Sequence, residues 1–331
     1  MKKYYFCIFA LAISTALLPY KSSGQKKFQV NTNYFVTYPE KLMLRLFLSQ
    51  KFAPFTIGSQ SSPELNYKTN SKLSLGAGFT YKVATLNLSY GFSFLNKDKG
   101  LGKTKGLDLQ LHLYPHQWAI DILGTFRTGY YLDPGNHSGF NFTNYYNRPD
   151  IKRKIEGLSV FRVPNAEKFS YRAALNQNDV QIKSAGSLLF GAEAYHGSIA
   201  GDSALVPTSA SSIYKQAGVE EITFISVGPG IGYAYTLVMA KNFFISASAI
   251  GSLHVNFSTE EKDGTKLKKT SILPGGIYKA AIGYNTSSWS ISANLLGNVL
   301  YAGSETSSQK YFVPTGNARF TIAKKISTRK H

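Results

Sequence analysis

Ser71–Lys82, SKLSLGAGFTYK, decides how the chain is read. Leu73, Leu75, Ala77, Phe79 and Tyr81 fall on one parity; Lys72, Ser74, Gly76, Gly78, Thr80 and Lys82 fall on the other. A β-strand sends successive side chains to opposite faces, so this stretch makes one greasy face and one wet face. The same pattern recurs along the chain: Leu42–Leu48, Leu86–Phe94, Leu107–Leu113, Trp118–Arg127, Phe169–Leu175, Leu188–Ala194, Thr223–Val238, Ile245–Phe257, Ile272–Tyr284, Trp289–Tyr301 and Phe320–Ile322. Twelve such stretches predict an all-β, antiparallel transmembrane barrel with lipid outside and polar side chains within.

The connections agree with that reading. Lys82–Thr85, Tyr114–Gln117, Ala240–Asn242 and Asn285–Ser287 are tight, and Asn176–Ser184 is somewhat longer. Ala53–Asn70, Asn96–Gly106, Leu132–Glu167, His196–Ile222, Ser258–Thr270 and Ala302–Phe312 are open. Short periplasmic turns alternating with long outer loops are the habit of outer-membrane barrels. A soluble barrel of the lipocalin kind would reverse the sense, with apolar rows inside.

Composition sets the remaining bounds. Of 331 residues, 22 are Tyr and 22 Phe, a supply of rings suited to strands and membrane interfaces. The net charge of +19 raises nucleic acid as a partner. The basic residues are scattered over tails and loops, with no basic helix, so no nucleic-acid partner is expected. Lys2 and Lys3, the apolar run Tyr4–Leu18, Pro19, and small residues at Ser22 and Gly24 read as a signal peptide over residues 1–24, cleaved before Gln25. The mature chain, residues 25–331, then reads as one barrel domain with short periplasmic tails. The single cysteine, Cys7, lies in the signal and lacks the small residues that precede a lipidated cysteine. No disulfide, metal site or cofactor is expected of the mature chain.

The charges within strands share the polar parity: Arg45, Lys51, Lys72, Lys82, Asp108, Asp121, Arg127, Lys168, Arg172, Glu193, Lys279 and Arg319. Nine are basic and three acidic, which points to a lumen leaning toward anions. The expected lining is Arg45, Lys72, Asp108, Asp121, Arg127, Arg172, Glu193 and Lys279. Tyr145, Tyr146, Arg148 and Asp150 lie in the longest loop and are the candidates for a constriction folded into the lumen. Gly228–Pro229–Gly230 and Pro274–Gly275–Gly276 interrupt two strands and predict bulges or strand ends.

Two catalytic readings are weighed and set aside. Lys97–Thr104, KDKGLGKT, has Lys97 where a phosphate-binding loop needs Gly, and a strand follows where it needs a helix. His112 and His254 point inward by parity, whereas a Ser–His lipid hydrolase of this architecture works on the lipid side. No enzyme is expected.

The most specific words of the chain are Tyr145–Tyr146, Arg148–Pro149–Asp150–Ile151, Lys168–Phe169–Ser170–Tyr171–Arg172–Ala173–Ala174, Asn176–Gln177 and Lys183–Ser184–Ala185–Gly186–Ser187. In these the chain resembles an uncharacterised Bacteroidota family, domain of unknown function 4421. It departs at Asp179–Val180, where an acidic–basic pair is expected. The resemblance runs from near Tyr38 to the last strand and implies an exported outer-membrane barrel without an assigned activity. Such a location implies outer-membrane lipid and lipopolysaccharide as surroundings and the barrel-assembly machinery as the inserting partner. The function expected is a narrow anion-leaning pore; the alternatives are a non-transporting envelope structural or interaction protein and, behind it, a lipid hydrolase.

Overall fold

A computed structural model describes residues 29–58, 64–71, 73–81, 84–92, 95, 100–115, 117–133, 135–136, 141–142 and 144–327. The expected signal peptide, Lys72 and Lys82 lie outside the described residues. In chain order the elements are β1 (Phe35–Thr37), β2 (Lys41–Phe52), β3 (Phe55–Ile57), β4 (Leu65–Tyr67), β5 (Ser74–Tyr81), β6 (Ala84–Tyr90), β7 (Lys105–Leu113), β8 (Trp118–Leu132), β9 (Gly135–Asn136), β10 (Asn141–Phe142) and β11 (Tyr146–Arg162). Then come helix α1 (Tyr171–Leu175), β12 (Asp179–Gln181), β13 (Ala185–Ala200), β14 (Val219–Met239), β15 (Phe243–Lys262), β16 (Thr265–Asn285), β17 (Trp289–Val299), β18 (Tyr301–Ala302), β19 (Tyr311–Phe312) and β20 (Thr315–Ser327).

Twelve of these form one antiparallel sheet in the order β6-β5-β2-β20-β17-β16-β15-β14-β13-β11-β8-β7. The first and last strands of the chain's barrel, β2 and β20, pair along Lys41–Phe52, and β6 lies beside β7, so the sheet curls into a nearly closed barrel. Alternation is kept along its walls. On β2, Leu44, Leu46 and Leu48 are exposed while Met43, Arg45, Phe47 and Ser49 are buried. The outward rows carry no charge over Ile225–Met239, Phe243–Phe257, Ile272–Tyr284 and Trp289–Val299. Ile231 is 66% exposed, Leu253 61% and Ile272 72%. A continuous apolar belt of this kind around a sheet whose charges point inward is the surface of an outer-membrane barrel, because only a closed sheet satisfies its backbone in hydrocarbon. Exposed Trp118, Tyr235, Phe243, Tyr284 and Trp289 form an aromatic girdle at one end, the end of the tight turns at 240–242 and 286–288. There Lys324 sits 4.3 Å over the Trp289 ring and Arg162 5.1 Å over Trp118. That end is the periplasmic one.

The structure departs from the sequence expectations at five places. The sixth stave is β11, Tyr146–Arg162, and Phe169–Leu175 is not a strand. That apolar–polar run spans only seven residues, too few to separate a period of 2 from one turn of helix, and Ser170 ends the ambiguity by capping α1 through the Ala173 N–H. The expected loop Leu132–Glu167 shrinks to the β9–β10 hairpin between two long staves. Ser258–Thr270 is no open loop: β15 and β16 pair through Lys262↔Thr265 around Asp263–Gly264, whose φ angles of +50° and +73° make the tight two-residue turn. The last strand runs on to Ser327, so Lys324 and Lys325 belong to the wall and not to a tail. Finally, β14 and β15 keep register across Gly228–Pro229–Gly230, and β15 and β16 across Pro274–Gly275–Gly276, with both proline rings turned outward.

Both mouths are filled. The periplasmic one holds the segment between β11 and β13, with α1 and with β12 paired to β1. The outer one is covered by a four-stranded sheet, β18-β19-β3-β4, over a core that includes Phe55, Ile57, Leu65, Tyr67, Leu205 and Tyr311.

Candidate functional site: the filled lumen

The outer half of the interior holds an apolar cluster beside buried polar groups. Ile151, Ile155, Ile199, Ile222 and Phe224 project from the staves and meet Phe55, Leu65 and Leu205 from the cap. The Phe55 ring stacks on Tyr67 at 4.6 Å and meets Tyr130 edge-on at 5.1 Å. Tyr67 donates from its hydroxyl to the Leu205 carbonyl at 2.6 Å. Two carboxylates pin the cap to the rim. Glu260 accepts from Ser304 Oγ at 2.7 Å, Tyr311 Oη at 2.7 Å, and the backbone N–H groups of Glu305 and Thr306, both at 2.9 Å. Burial pushes the Tyr311 hydroxyl up, and Glu260 beside it adds to that, so the ring stays a donor.

Asp150 takes the Arg148 guanidinium on both oxygens, at 2.8 and 2.7 Å, and the Asp202 N–H at 3.0 Å; Arg148 also donates to the carbonyls of Ala204 and Ser203. The four residues expected to constrict the lumen therefore do something else. Arg148 and Asp150 clamp the 201–218 segment to the outer end of β11, Tyr146 opens that strand, and Tyr145 is exposed with its ring edge-on to Tyr131. The Arg148 hydrogen bonds hold the Asp150 carboxyl down at about 2, against an ordinary 3.8. A depressed carboxylate contributes stability above the unfolded value and loses it as pH falls through the folded one. Proteolysis of the 201–218 segment by an acid protease should accordingly rise between pH 4 and pH 2, and an Asp150→Asn variant should show the higher rate already at pH 4. Equal rates for the two proteins at pH 4 would remove the clamp.

The middle of the lumen is polar and paired. Asp108 receives Arg127 at 2.5 Å and Lys51 at 3.0 Å. Asp121 receives Lys279 at 2.5 Å from across the barrel, His112 Nδ1 at 2.6 Å and Tyr114 Oη at 2.8 Å. The Lys279 ammonium lies between the rings of Tyr114 and Tyr171, 5.4 and 5.1 Å from their centroids. Tyr171 belongs to the periplasmic plug and donates from its hydroxyl to Ser248 Oγ at 2.9 Å. Glu193 accepts from Ser252, from Tyr195 Oη at 2.9 Å, and faces His254 Nε2 at 3.5 Å. Gly275 makes the room for that imidazole: a Cβ there would stand 2.3 Å from His254 Cε1.

Of the expected lining, Arg45, Asp108, Asp121, Arg127, Glu193 and Lys279 face the interior. Arg172 does not line the wall: it sits on α1 and reaches Asp179 at 3.0 Å, within a plug also tied by Ser170 Oγ to Asp179 at 2.6 Å and by Asn285 to the carbonyls of Ala173 and Asp179. Lys168, placed by parity on the inner face, is exposed on that plug segment. Missed in the sequence were Arg153, 1% exposed and bonded to the carbonyls of Val313 and Pro314, and Glu260. Glu260 was findable, since it continues the inward parity of His254, Asn256 and Ser258. The cavities left are small. One of about 20 Å³ lies beside Tyr114, Phe169 and Asp179, and one of about 20 Å³ between Arg45 and Arg319. Among the described residues no cluster of three His, Cys, Asp or Glu could hold a metal.

Comparison with solved structures returns outer-membrane barrels. The chain is 9% identical to the outer membrane protease OmpT of Escherichia coli, covering 92% of this chain and 99% of that one at a TM-score of 0.36. It is 9% identical to the CymD monoaromatic hydrocarbon channel, covering 89% and 90% at 0.29, and 10% identical to OprG of Pseudomonas aeruginosa, covering 88% and 99% at 0.27. Likenesses this remote transfer no function. No curated protein matches the chain in sequence. The family model described as Domain of unknown function (DUF4421) matches residues 29–323, nearly the whole of the filled barrel, and the chain belongs to that family.

Proposed function

We propose that this outer-membrane barrel is a non-transporting envelope protein, and that its periplasmic mouth is an interaction surface for an anionic component of the envelope. The observation that carries the reading is the occupation of both mouths by packed chain. An opening through the cap that exposed Phe55, Ile57, Leu65 and Tyr67 would cost about 1.5–3 kcal/mol for each side chain, roughly 6–12 kcal/mol together. At the low end that leaves the open form below about one molecule in ten thousand. The narrow anion-leaning pore loses its lumen on this reading.

The periplasmic rim supplies the surface. Lys41, Arg162, Lys168, Lys183, Lys241 and Lys324 are exposed or half-exposed there, against Glu40 and Glu167. A predominantly basic rim attracts carboxylate- or phosphate-bearing partners and does so less at high salt. Catalysis is not part of the proposal: Ser252, His254 and Glu193 are 7%, 2% and 1% exposed, which leaves a lipid substrate no approach. Export by a signal peptide cleaved before Gln25 completes the reading, and N-terminal sequencing of the protein from outer membranes checks it.

Planar bilayers carrying the purified barrel should show no unitary conductance in 1 M KCl, and liposomes bearing it should not swell in sugars. Sustained channels preferring chloride to potassium would overturn the closed barrel and restore the pore. Binding to sedimented peptidoglycan should fall when Lys168, Lys183 and Lys241 are changed together to glutamine. Unchanged sedimentation would sink the docking surface.

A further inference from the structure

Two guanidinium groups in the lumen wall have no carboxylate. Arg45 on β2 is 5% exposed and donates only to neutral groups: Met43 Sδ at 3.1 Å, Thr80 Oγ1, and the Asn176 carbonyl at 3.1 Å. Its Nε has no partner. Arg319 on β20 lies 4.5 Å over the Phe47 ring, and its buried Nε is likewise unpartnered. Among the described residues neither lies within ion-pair distance of an Asp or Glu, whereas Arg127, Arg172 and Lys279 all do. Arg45 and Arg319 repel each other, and both line the same cavity of about 20 Å³ with Asn87, Gln110 and Asn294.

This arrangement is costly. A buried charge without a partner is among the most destabilising features a protein can hold, and here two of one sign face one space. The void has room for one or two water-sized particles, and polar walls to receive them. Neutral donors point the same way: Gln110 spends its amide oxygen on Asn317 Nδ2 at 3.1 Å, which leaves its NH₂ group to give. The Asn294 amide oxygen is unpartnered, and turning that amide over presents its NH₂ instead.

We propose that the cavity between Arg45 and Arg319 is a site for one small inorganic anion of halide size, bound as the barrel folds and held as a structural counter-ion. The volume excludes an organic ligand, and the charge excludes a cation. The proposal is independent of the docking reading, since a barrel with or without a periplasmic partner must settle these two charges.

The test uses the full barrel refolded into detergent at constant ionic strength in chloride, bromide or gluconate. Crystals from bromide should show an anomalous bromine peak between Arg45 and Arg319. The thermal midpoint should rise by about 2–4 °C for each tenfold increase in chloride above half-saturation, and not in gluconate. An Asn294→Asp variant carries its own anion into the cavity; it should fold, match the chloride-saturated midpoint and lose the halide dependence. Arg319→Gln should weaken that dependence while remaining folded. Bromine peaks at the surface alone, a midpoint blind to chloride, or an Asn294→Asp barrel that still responds to halide would each overturn the site.

Discussion

Exchanging Lys279 for methionine should destabilise the barrel by about 3–5 kcal/mol, the cost of stripping one partner from a buried ion pair. Lys279 stands on β16 and Asp121 on β8, on opposite walls, and their 2.5 Å contact crosses the lumen. Removing the ammonium leaves the Asp121 carboxylate with Tyr114 Oη and His112, inside the filled lumen. It also takes the cation from between the rings of Tyr114 and Tyr171, which loosens the plug. Urea unfolding in detergent at pH 7 should record the loss, and trypsin should cut faster at Lys168, Arg172 and Lys183. The double variant Asp121→Asn with Lys279→Met should recover most of the stability, because a neutral amide beside Tyr114 Oη and His112 no longer bears an orphaned charge. A double variant no better than the single one would show that the pair matters only as packing.

The second large effect concerns the outer wall. Ile231→Arg places a guanidinium on the outward row of β14, deep in the belt, and should cost about 2–4 kcal/mol. Thr223→Arg lies on the same outward row but beyond the hydrocarbon, at the outer end of the strand, and should cost only about 0–1 kcal/mol. The depth dependence is what identifies lipid as the solvent of that face; a soluble barrel would accept both charges alike. Reversible unfolding of the two variants from phospholipid vesicles provides the comparison, and equal costs would remove the transmembrane assignment.

Much of the barrel can be read from local pattern. β2, β5, β14 and β15 alternate so regularly that their outward rows, and the inward positions of Arg45, Asp108, Asp121, Glu193 and Lys279, follow from parity once one face is known to be apolar. β11 escapes that logic for a physical reason. Its periplasmic half faces lipid with Leu158 and Val160, but its outer half stands above the membrane, with Lys152, Lys154 and Glu156 toward water and Ile151 and Ile155 toward the cap. Its apolar row changes face partway along, and a single alternation rule cannot see the change. The same physics hides the plug, whose short helix buries Tyr171, Ala173 and Ala174 because it sits inside the barrel.

What the amino-acid order determined alone is therefore the period and, within each stave, which charges share a face, since these depend only on neighbours along one strand; Lys168 and Arg172, on the plug, fall outside that rule. Whether the lumen is open was decided by the fold. It depends on residues far apart in the chain meeting in space: Phe55 against Tyr130, Asp121 against Lys279, Ser170 beside Asp179 in a segment that fills the mouth. Parity counts the charges turned inward, but only packing tells which of them have already found a partner.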